Sequence, residues 1–244
     1  MSRTATLATA RRVLLQIRRD PRTIAMLLLV PCVLLSLLAW VYDGTPVFDR
    51  VGGPLLGVFP FVVMFLVTSV ATLRERTSGT LERLMTLPVG KLDLLLGYGL
   101  AFGLLAVVQA CVASGLAVFV LGLDIAGPGW LLVLIALLDA LLGTALGLFV
   151  SAFASTEFQA VQFLPAVVLP QFLLCGLLVP RDQMNDTLHA ISSALPLSYA
   201  VDAMRAVTIS SGVSGDTVVD LLVVAGCVVA ALAGGALTLR RRTP

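Results

Sequence analysis

The groups able to do chemistry in this sequence are sparse, and they do not form a catalytic set. Asp139 lies deep within a long apolar run. A carboxylate at that depth is costly in hydrocarbon and marks either a functional position or a hydrogen bond between helices. It can meet Gln109 or Gln171 from other apolar runs, or carry a proton. Thr68, Ser69 and Gln162 are further polar groups within apolar segments. Cys32, Cys111, Cys175 and Cys227 each sit in such a segment too, with no C-x-x-C spacing and no clustered His, so no metal site is expected. G-x-x-x-x-G-K-[ST] is absent, so the chain has no P-loop with which to bind ATP. The densest chemistry is instead a run of charge at 74–89, between two apolar segments that carry almost none. Such a run must lie in water or at the headgroups.

The elements that position these groups follow from composition. The chain is 59% hydrophobic and 12% charged, whereas a soluble domain is about 45–50% apolar and about 25% charged. The excess falls in blocks of about 20 residues, the length that crosses about 30 Å of hydrocarbon as helix. Six spans are expected, at about 23–42, 54–73, 97–121, 130–153, 161–179 and 218–239. The runs are continuous rather than alternating, which excludes a barrel. The fold class is therefore all-α integral membrane, with residues 1–244 as one transmembrane domain. The first span follows an Arg-rich arm and lacks a small-residue cleavage pattern, so a cleaved signal peptide is not expected.

Charge asymmetry orients the spans. With the N-terminus inside, only Arg50, Arg181 and Arg205 of the 16 Lys and Arg fall outside, so both termini are expected in the cytoplasm. The basic residues read as topology markers and contacts to anionic membrane lipids. Aromatic residues are not interleaved with them, so no nucleic-acid partner is expected.

Three segments outside the spans carry patterns. In the N-terminal arm, Leu7, Val13, Leu14 and Ile17 alternate with Arg11, Arg12, Arg18 and Arg19 before Asp20-Pro21 breaks the pattern, which predicts an interfacial amphipathic helix. In the 74–89 run, Leu81, Leu84 and Met85 form a short apolar stripe between Gly79 and Pro88. A helix of about two turns is too short to be stable alone, and docking into a groove on another protein would supply what it lacks. At 180–211, Met184, Leu188 and Ile191 share one helical face, Pro196 interrupts, and Leu197, Val201, Met204 and Thr208 share another. Two such helices predict a re-entrant hairpin in the outer leaflet, in which Asp202 and Arg205 are spaced to pair locally. Gly143-x-x-x-Gly147 and Gly99-x-x-x-Gly103 offer faces for close helix packing. Pro165, Pro170 and Gly176 interrupt the fifth span.

Two blocks resemble a known family. Arg-Glu-Arg-x-x-Gly-Thr-Leu-Glu-Arg-Leu-x-x-x-Pro-Val at 74–89 is similar to the cytoplasmic signature of ABC-2 type transporter permeases, in particular the drug-exporter branch. Leu-Pro-Leu-Ser-Tyr-Ala-Val-Asp-Ala-Met-Arg-Ala at 195–206 resembles the block before that family's last span, with Leu195 where the family usually has Asn. Both blocks stand at the right places among the six spans.

The resemblance implies roles. The loop after the second span would be a coupling helix at 80–87 that inserts into a separate ATP-binding subunit. Gly79 would be its hinge, and Thr80, Leu81 and Leu84 would lie in it. Glu75, Arg76, Glu82 and Arg83 would be its polar contacts. The outer hairpin, with Pro196, Tyr199, Asp202 and Arg205, would cap the exit of the path. The fifth span would lie near the central cavity, with Gln162 and Gln171 as lining; Thr68 and Ser69, with Gln109 and Asp139, are comparable candidates. The chain would be the permease subunit of an ATP-driven exporter in a bacterial cytoplasmic membrane, paired as homodimer or heterodimer. ATP and Mg would sit on the partner subunit, and this chain would catalyse no covalent chemistry. An apolar path suits a small hydrophobic or amphiphilic cargo, such as a drug, an antibiotic or a lipid-like molecule. A permease for cell-envelope lipid or glycan, an ion-coupled secondary transporter using Asp139, and a membrane scaffold are the alternatives.

Overall fold

The computed structural model describes residues 3–78 and 90–238 of the chain. No strand occurs among the described residues. The helices are α1 (Arg3–Arg18), α2 (Pro21–Val41), α3 (Val47–Thr77), α4 (Lys91–Gly115), α5 (Gly129–Val150), α6 (Glu157–Leu174), α7 (Asp186–Ala194), α8 (Pro196–Ile209) and α9 (Gly215–Thr238). A π-turn, Leu116–Val120, extends α4. Six helical stretches are long and apolar enough to cross a membrane: Pro21–Val41, Val47–Thr77, Asp93–Val120, Gly129–Val150, Glu157–Leu174 and Gly215–Leu237. These are the six expected spans.

Local signals set several boundaries. Asp20 caps α2, its carboxylate accepting from Thr23 N at 3.3 Å and from the Thr23 hydroxyl at 2.7 Å, and Pro21 follows at the first helical position. Those bonds from Thr23, the hydroxyl's first, hold the Asp20 carboxyl below its ordinary value. Thr156 accepts from Gln159 N at 3.2 Å while the Gln159 side chain accepts from Ser155 N at 2.8 Å, a reciprocal cap that starts α6. Asn185 caps α7 in the same way, accepting from Thr187 N at 2.9 Å.

The second and fifth spans differ most from their expected limits. The second begins at Val47 rather than 54, because Gly52 and Gly53 remain helical where Leu123 and Thr208 press against them. Tertiary contact overrides the weak helix preference of glycine there. The fifth ends at Leu174 rather than 179: Cys175 is followed by Gly176 at φ +89°, a backbone turn that side chains resist.

Burial divides the bundle into an interior and a shell. The most apolar windows of α3 and α5 are 72% and 67% buried, against 17% for those of α2, α6 and α9. The shell helices therefore keep broad apolar faces toward lipid or another subunit. The main core joins α3, α5 and α8 through Leu56, Phe61, Phe65, Leu132, Ile135 and Met204. A second cluster, Val13, Ile17, Leu94, Tyr98 and Phe102 among its members, seats α1 on α4. The arm helix thus buries Thr9, Ala10, Val13 and Ile17 against protein, while Leu7 of its expected apolar pattern stays exposed, as does Leu15.

Glycine decides how closely the interior helices meet. A Cβ at Gly143 would fall inside contact distance of the Phe61 carbonyl oxygen, and one at Gly147 would lie 2.6 Å from the Phe65 carbonyl oxygen. The face at Gly143 and Gly147 therefore lets α5 press on the backbone of α3. Gly97 does the same for α1 on α4, where an added Cβ would stand 2.5 Å from Thr9 Cβ. Gly99 faces open space, and Gly103 has only Leu141 Cδ2 nearby at 3.4 Å.

This contrast is testable. Gly143→Ala is expected to destabilise the protein by about 3 kcal/mol, as overpacking against backbone does. Gly99→Ala should change stability by under about 1 kcal/mol, with the helix preference of Ala on its side. Thermal unfolding of both variants in one detergent checks the pair, and equal midpoints would overturn the packing argument.

Candidate functional site

The last turn of α3 carries a concentration of charge. Arg12 of α1 grips Glu75 with both arms of its guanidinium, Nη2 to Oε2 at 2.8 Å and Nη1 to Oε1 at 3.3 Å. The same Nη2 donates to the Tyr98 hydroxyl of α4 at 2.9 Å, and that hydroxyl donates to Glu75 Oε2. The guanidinium also lies over the Tyr98 ring, 5.8 Å from its centroid. Burial works against the Arg12 charge, but Glu75 and Tyr98 outweigh it and raise the guanidinium pKa. Arg74 meets Glu157 at the start of α6, at 3.0 Å. Arg76 donates to the Ser151 carbonyl at 3.3 Å, satisfying the C-terminal end of α5. One helical turn is thereby tied to α1, α4, α5 and α6 immediately before the 79–89 segment leaves it.

The opposite end has its own polar lock. Arg181 donates to Asp202 Oδ2 at 2.5 Å and to Ser193 Oγ at 3.0 Å, and its guanidinium lies 5.2 Å from the Tyr199 ring centroid. Tyr199 donates to the Ser193 carbonyl at 2.7 Å. The Ser192 hydroxyl, buried, donates to the Leu174 carbonyl at 2.8 Å, and Arg205 donates to the Gly176 carbonyl at 2.9 Å. The hairpin formed by α7 and α8 is so pinned to the turn that ends α6. On its inner side Leu197, Val201, Met204 and Val207 enter the main core. Asp202 therefore pairs with Arg181 and not with Arg205, its expected local partner. The Gly176 turn brings Arg181 across to Asp202 and presents Arg205 with an open carbonyl.

Between these ends lies Asp139. Its side chain is fully buried, and neither oxygen has a hydrogen-bond partner among the described residues. A Cβ on Gly57 would lie 2.8 Å from Oδ2 and 3.6 Å from the Met204 side chain, so Asp139 sits where α3, α5 and α8 converge. The expected meeting with Gln109 or Gln171 does not form. Gln109 donates to the Leu27 carbonyl of α2 at 2.8 Å, and Gln171 to the Val167 carbonyl of its own helix at 3.2 Å. The Leu27 carbonyl is free because Pro31, four residues on, has no N–H to offer it.

The remaining candidates are dispersed. Thr68 and Ser69 are buried under α5, Ser69 donating to the Leu66 carbonyl at 3.1 Å. Gln162 is exposed on the surface of α6. Of the six polar residues considered for a path, five are buried, spread over α3, α4, α5 and α6, and Gln162 is exposed.

Known proteins match over the same architecture. The family model of the ABC-2 type transporter covers residues 4–209. The chain belongs to the ABC-2 type transporter family. A probable multidrug ABC transporter permease of Escherichia coli, YbhS, is 26% identical over 162 residues, 66% of this chain and 43% of its own length. The inner membrane transport permease YhhJ of the same organism is 27% identical over 147 residues, 60% of this chain and 39% of its own. The ABC transporter G family member 20 of Dictyostelium discoideum is 30% identical over 139 residues, 57% of this chain and 19% of its own. The chain thus spans less than half the length of these relatives. With six helices long and apolar enough to cross a membrane, this ABC-2 protein is a multi-pass membrane protein.

The described residues place only part of the family's coupling block. Gly79, Thr80, Leu81, Glu82, Arg83 and Leu84 lie outside them. Glu75 and Arg76, expected as contacts for a partner, are turned inward, Glu75 with only 5% of its side chain exposed. Sequence reasoning missed Arg12, Tyr98 and Arg181 as their partners, or as the partners of Asp202. Arg12 and Arg181 look like ordinary topology charges, and their pairing needs contacts separated by 63 and 21 residues.

Removing one member of the inner cluster should be costly. Arg12→Met is expected to destabilise by roughly 2–3 kcal/mol, below the full cost of breaking a buried pair because Arg12 keeps some solvent contact. Arg12→Met with Glu75→Met should recover part of that loss. A double-mutant cycle on unfolding midpoints measures it, and strictly additive losses would show that the two side chains do not act together.

Proposed function

We propose that the chain is the permease half of an ATP-driven exporter, coupled through the 74–89 region to a separate ATP-binding subunit on the cytoplasmic side. The observation that carries this reading is the family match across residues 4–209, supported by relatives named as multidrug permeases. The excess of Lys and Arg at the α1 end favours both termini in the cytoplasm. There the bracing of the last turn of α3 suits a coupling role. A force on the segment beyond Ser78 would reach α1, α4, α5 and α6 through Arg12, Tyr98, Arg76, Ser151, Arg74 and Glu157.

In this reading Glu75 and Arg76 anchor the coupling segment from within, while Glu82 and Arg83 make the partner contacts and Gly79 is the hinge. Docking of a short helix into a groove is the physical mode. ATP and Mg act on the partner subunit, and two permease subunits enclose the path. The exposed apolar residues of α2 and α6 remote from the α1 end, among them Leu37, Trp40, Leu169 and Leu173, are available for that association. The α7–α8 hairpin closes the outer end. A small hydrophobic or amphiphilic cargo fits a bundle whose interior polar groups are mostly spent on helix backbone.

A pull-down in mild detergent tests the coupling. Wild-type protein is expected to carry an ATP-binding subunit that Glu82→Arg or Gly79→Pro loses. If no ATPase ever accompanies the wild type, the exporter reading fails. Transport driven by a proton gradient in nucleotide-free vesicles would instead favour ion coupling at Asp139.

A further inference from the structure

A cleft of about 460 Å³ opens at the α1 end of the bundle, where the α1–α2 junction, α3 and α6 diverge. Its walls change character along the helix axis. At one end stand Arg22 and Arg74, with Gln16 and Asp20 beside them. Further in, only apolar side chains line it: Leu66, Val67 and Val70 from α3, Met26 from α2 and Val161 from α6. Met26 and Val161 are 48% and 44% exposed although both lie in membrane-spanning helices. The deep part of the cleft is therefore open at the depth of the hydrocarbon rather than to water.

We propose that this cleft holds one phospholipid of the adjacent leaflet, with its phosphate at Arg22 and Arg74 and one acyl chain between α3 and α6. The charge distribution carries the assignment. Arg22 is exposed and makes no ion pair among the described residues. Arg74 spends Nε and Nη2 on Glu157, and that pair is exposed on both sides, so water screens it and leaves it weak. The Asp20 carboxylate, held by the Thr23 cap, keeps its charge and lies in the field of Arg74, which leaves Arg22 as the cation at the cleft mouth with no ion pair among the described residues. Two cations over an apolar slot between helices match an anionic headgroup with a tail beneath it.

The dimensions agree. From Arg74 back to Leu66 α3 rises about 12 Å, at 1.5 Å per residue. One leaflet's hydrocarbon is about 15 Å deep, half of the bilayer core. A protein partner from the aqueous side would meet only the charged end of this cleft, since the rest lies below the headgroups. The lipid would fill a gap between the coupling turn of α3 and α6, and it is independent of whatever cargo the transporter carries.

Native mass spectrometry tests this on the full chain, purified in mild detergent and exchanged separately into phosphatidylglycerol, phosphatidylcholine and diacylglycerol. The wild type is expected to retain one phospholipid and no diacylglycerol, which has the tails without the phosphate. Arg22→Gln should reduce phosphatidylglycerol retention about fivefold, the effect of one basic contact. Ala71→Phe, which narrows the slot, should reduce it for every lipid, whereas Leu104→Phe on the exposed face of α4 should change nothing. Should Ala71→Phe fail to fold, Arg22→Gln against Leu104→Phe decides the matter. Equal retention of diacylglycerol and phosphatidylglycerol, or equal retention in Arg22→Gln and wild type, overturns the proposal. So does displacement of the phospholipid by a single-chain amphiphile at equal concentration, which would make the cleft a cargo site.

Discussion

The direct approach of α5 to the backbone of α3 underlies the rest of the architecture. Inside a bilayer, burying apolar side chains against one another gains little, because lipid tails are just as apolar. Helices are held instead by close van der Waals contact and by hydrogen bonds between them. Gly143 and Gly147 allow that contact by removing the side chains that would hold the two helices apart. With α3 and α5 joined, the hairpin helix α8 can lay Val201, Met204 and Val207 on one half of the pair, and α1 with α4 can cover the other. The shell helices α2, α6 and α9 then keep wide apolar faces.

Polar interactions are gathered at the two ends of this apolar pair, where they can be hydrated or completed. At one end Arg12, Glu75 and Tyr98 knit three helices around the turn that precedes residues 79–89. At the other, Arg181, Asp202, Tyr199 and Ser193 secure the hairpin to the α6 turn. Asp139 stands between them with both its oxygens unpartnered among the described residues, as are the Thr68 hydroxyl and the amide oxygens of Gln109 and Gln171.

Much of this was legible from residue order. Six apolar blocks, the Asp20-Pro21 break, the Pro196 division of the outer segment and the small-residue face at 143–147 each rest on local chemistry, and the structure keeps them. The limits of spans two and five were less legible, because Gly52, Gly53 and Gly176 take their conformations from what packs on them. Among candidate site residues, burial of Thr68, Ser69, Gln109, Asp139 and Gln171 agrees with their place in apolar runs. Their partners could not be read: a side chain in a span can meet any helix that the packing brings near.

What residue order determined by itself is the solvent each segment requires: hydrocarbon for the six blocks, water or headgroups for the charged run at 74–89. It also carries the family signature, which is a property of residue spacing. Only the tertiary structure decided which charges neutralise one another. The spacing of Asp202 and Arg205 favoured a local pair, yet the Gly176 turn delivered Arg181 to Asp202 and left Arg205 a backbone carbonyl. Glu75, set in a run of apparent surface charge, was drawn inward by Arg12 and Tyr98. Charge in a low-dielectric bundle must find its partner across the fold, and helix packing chooses that partner.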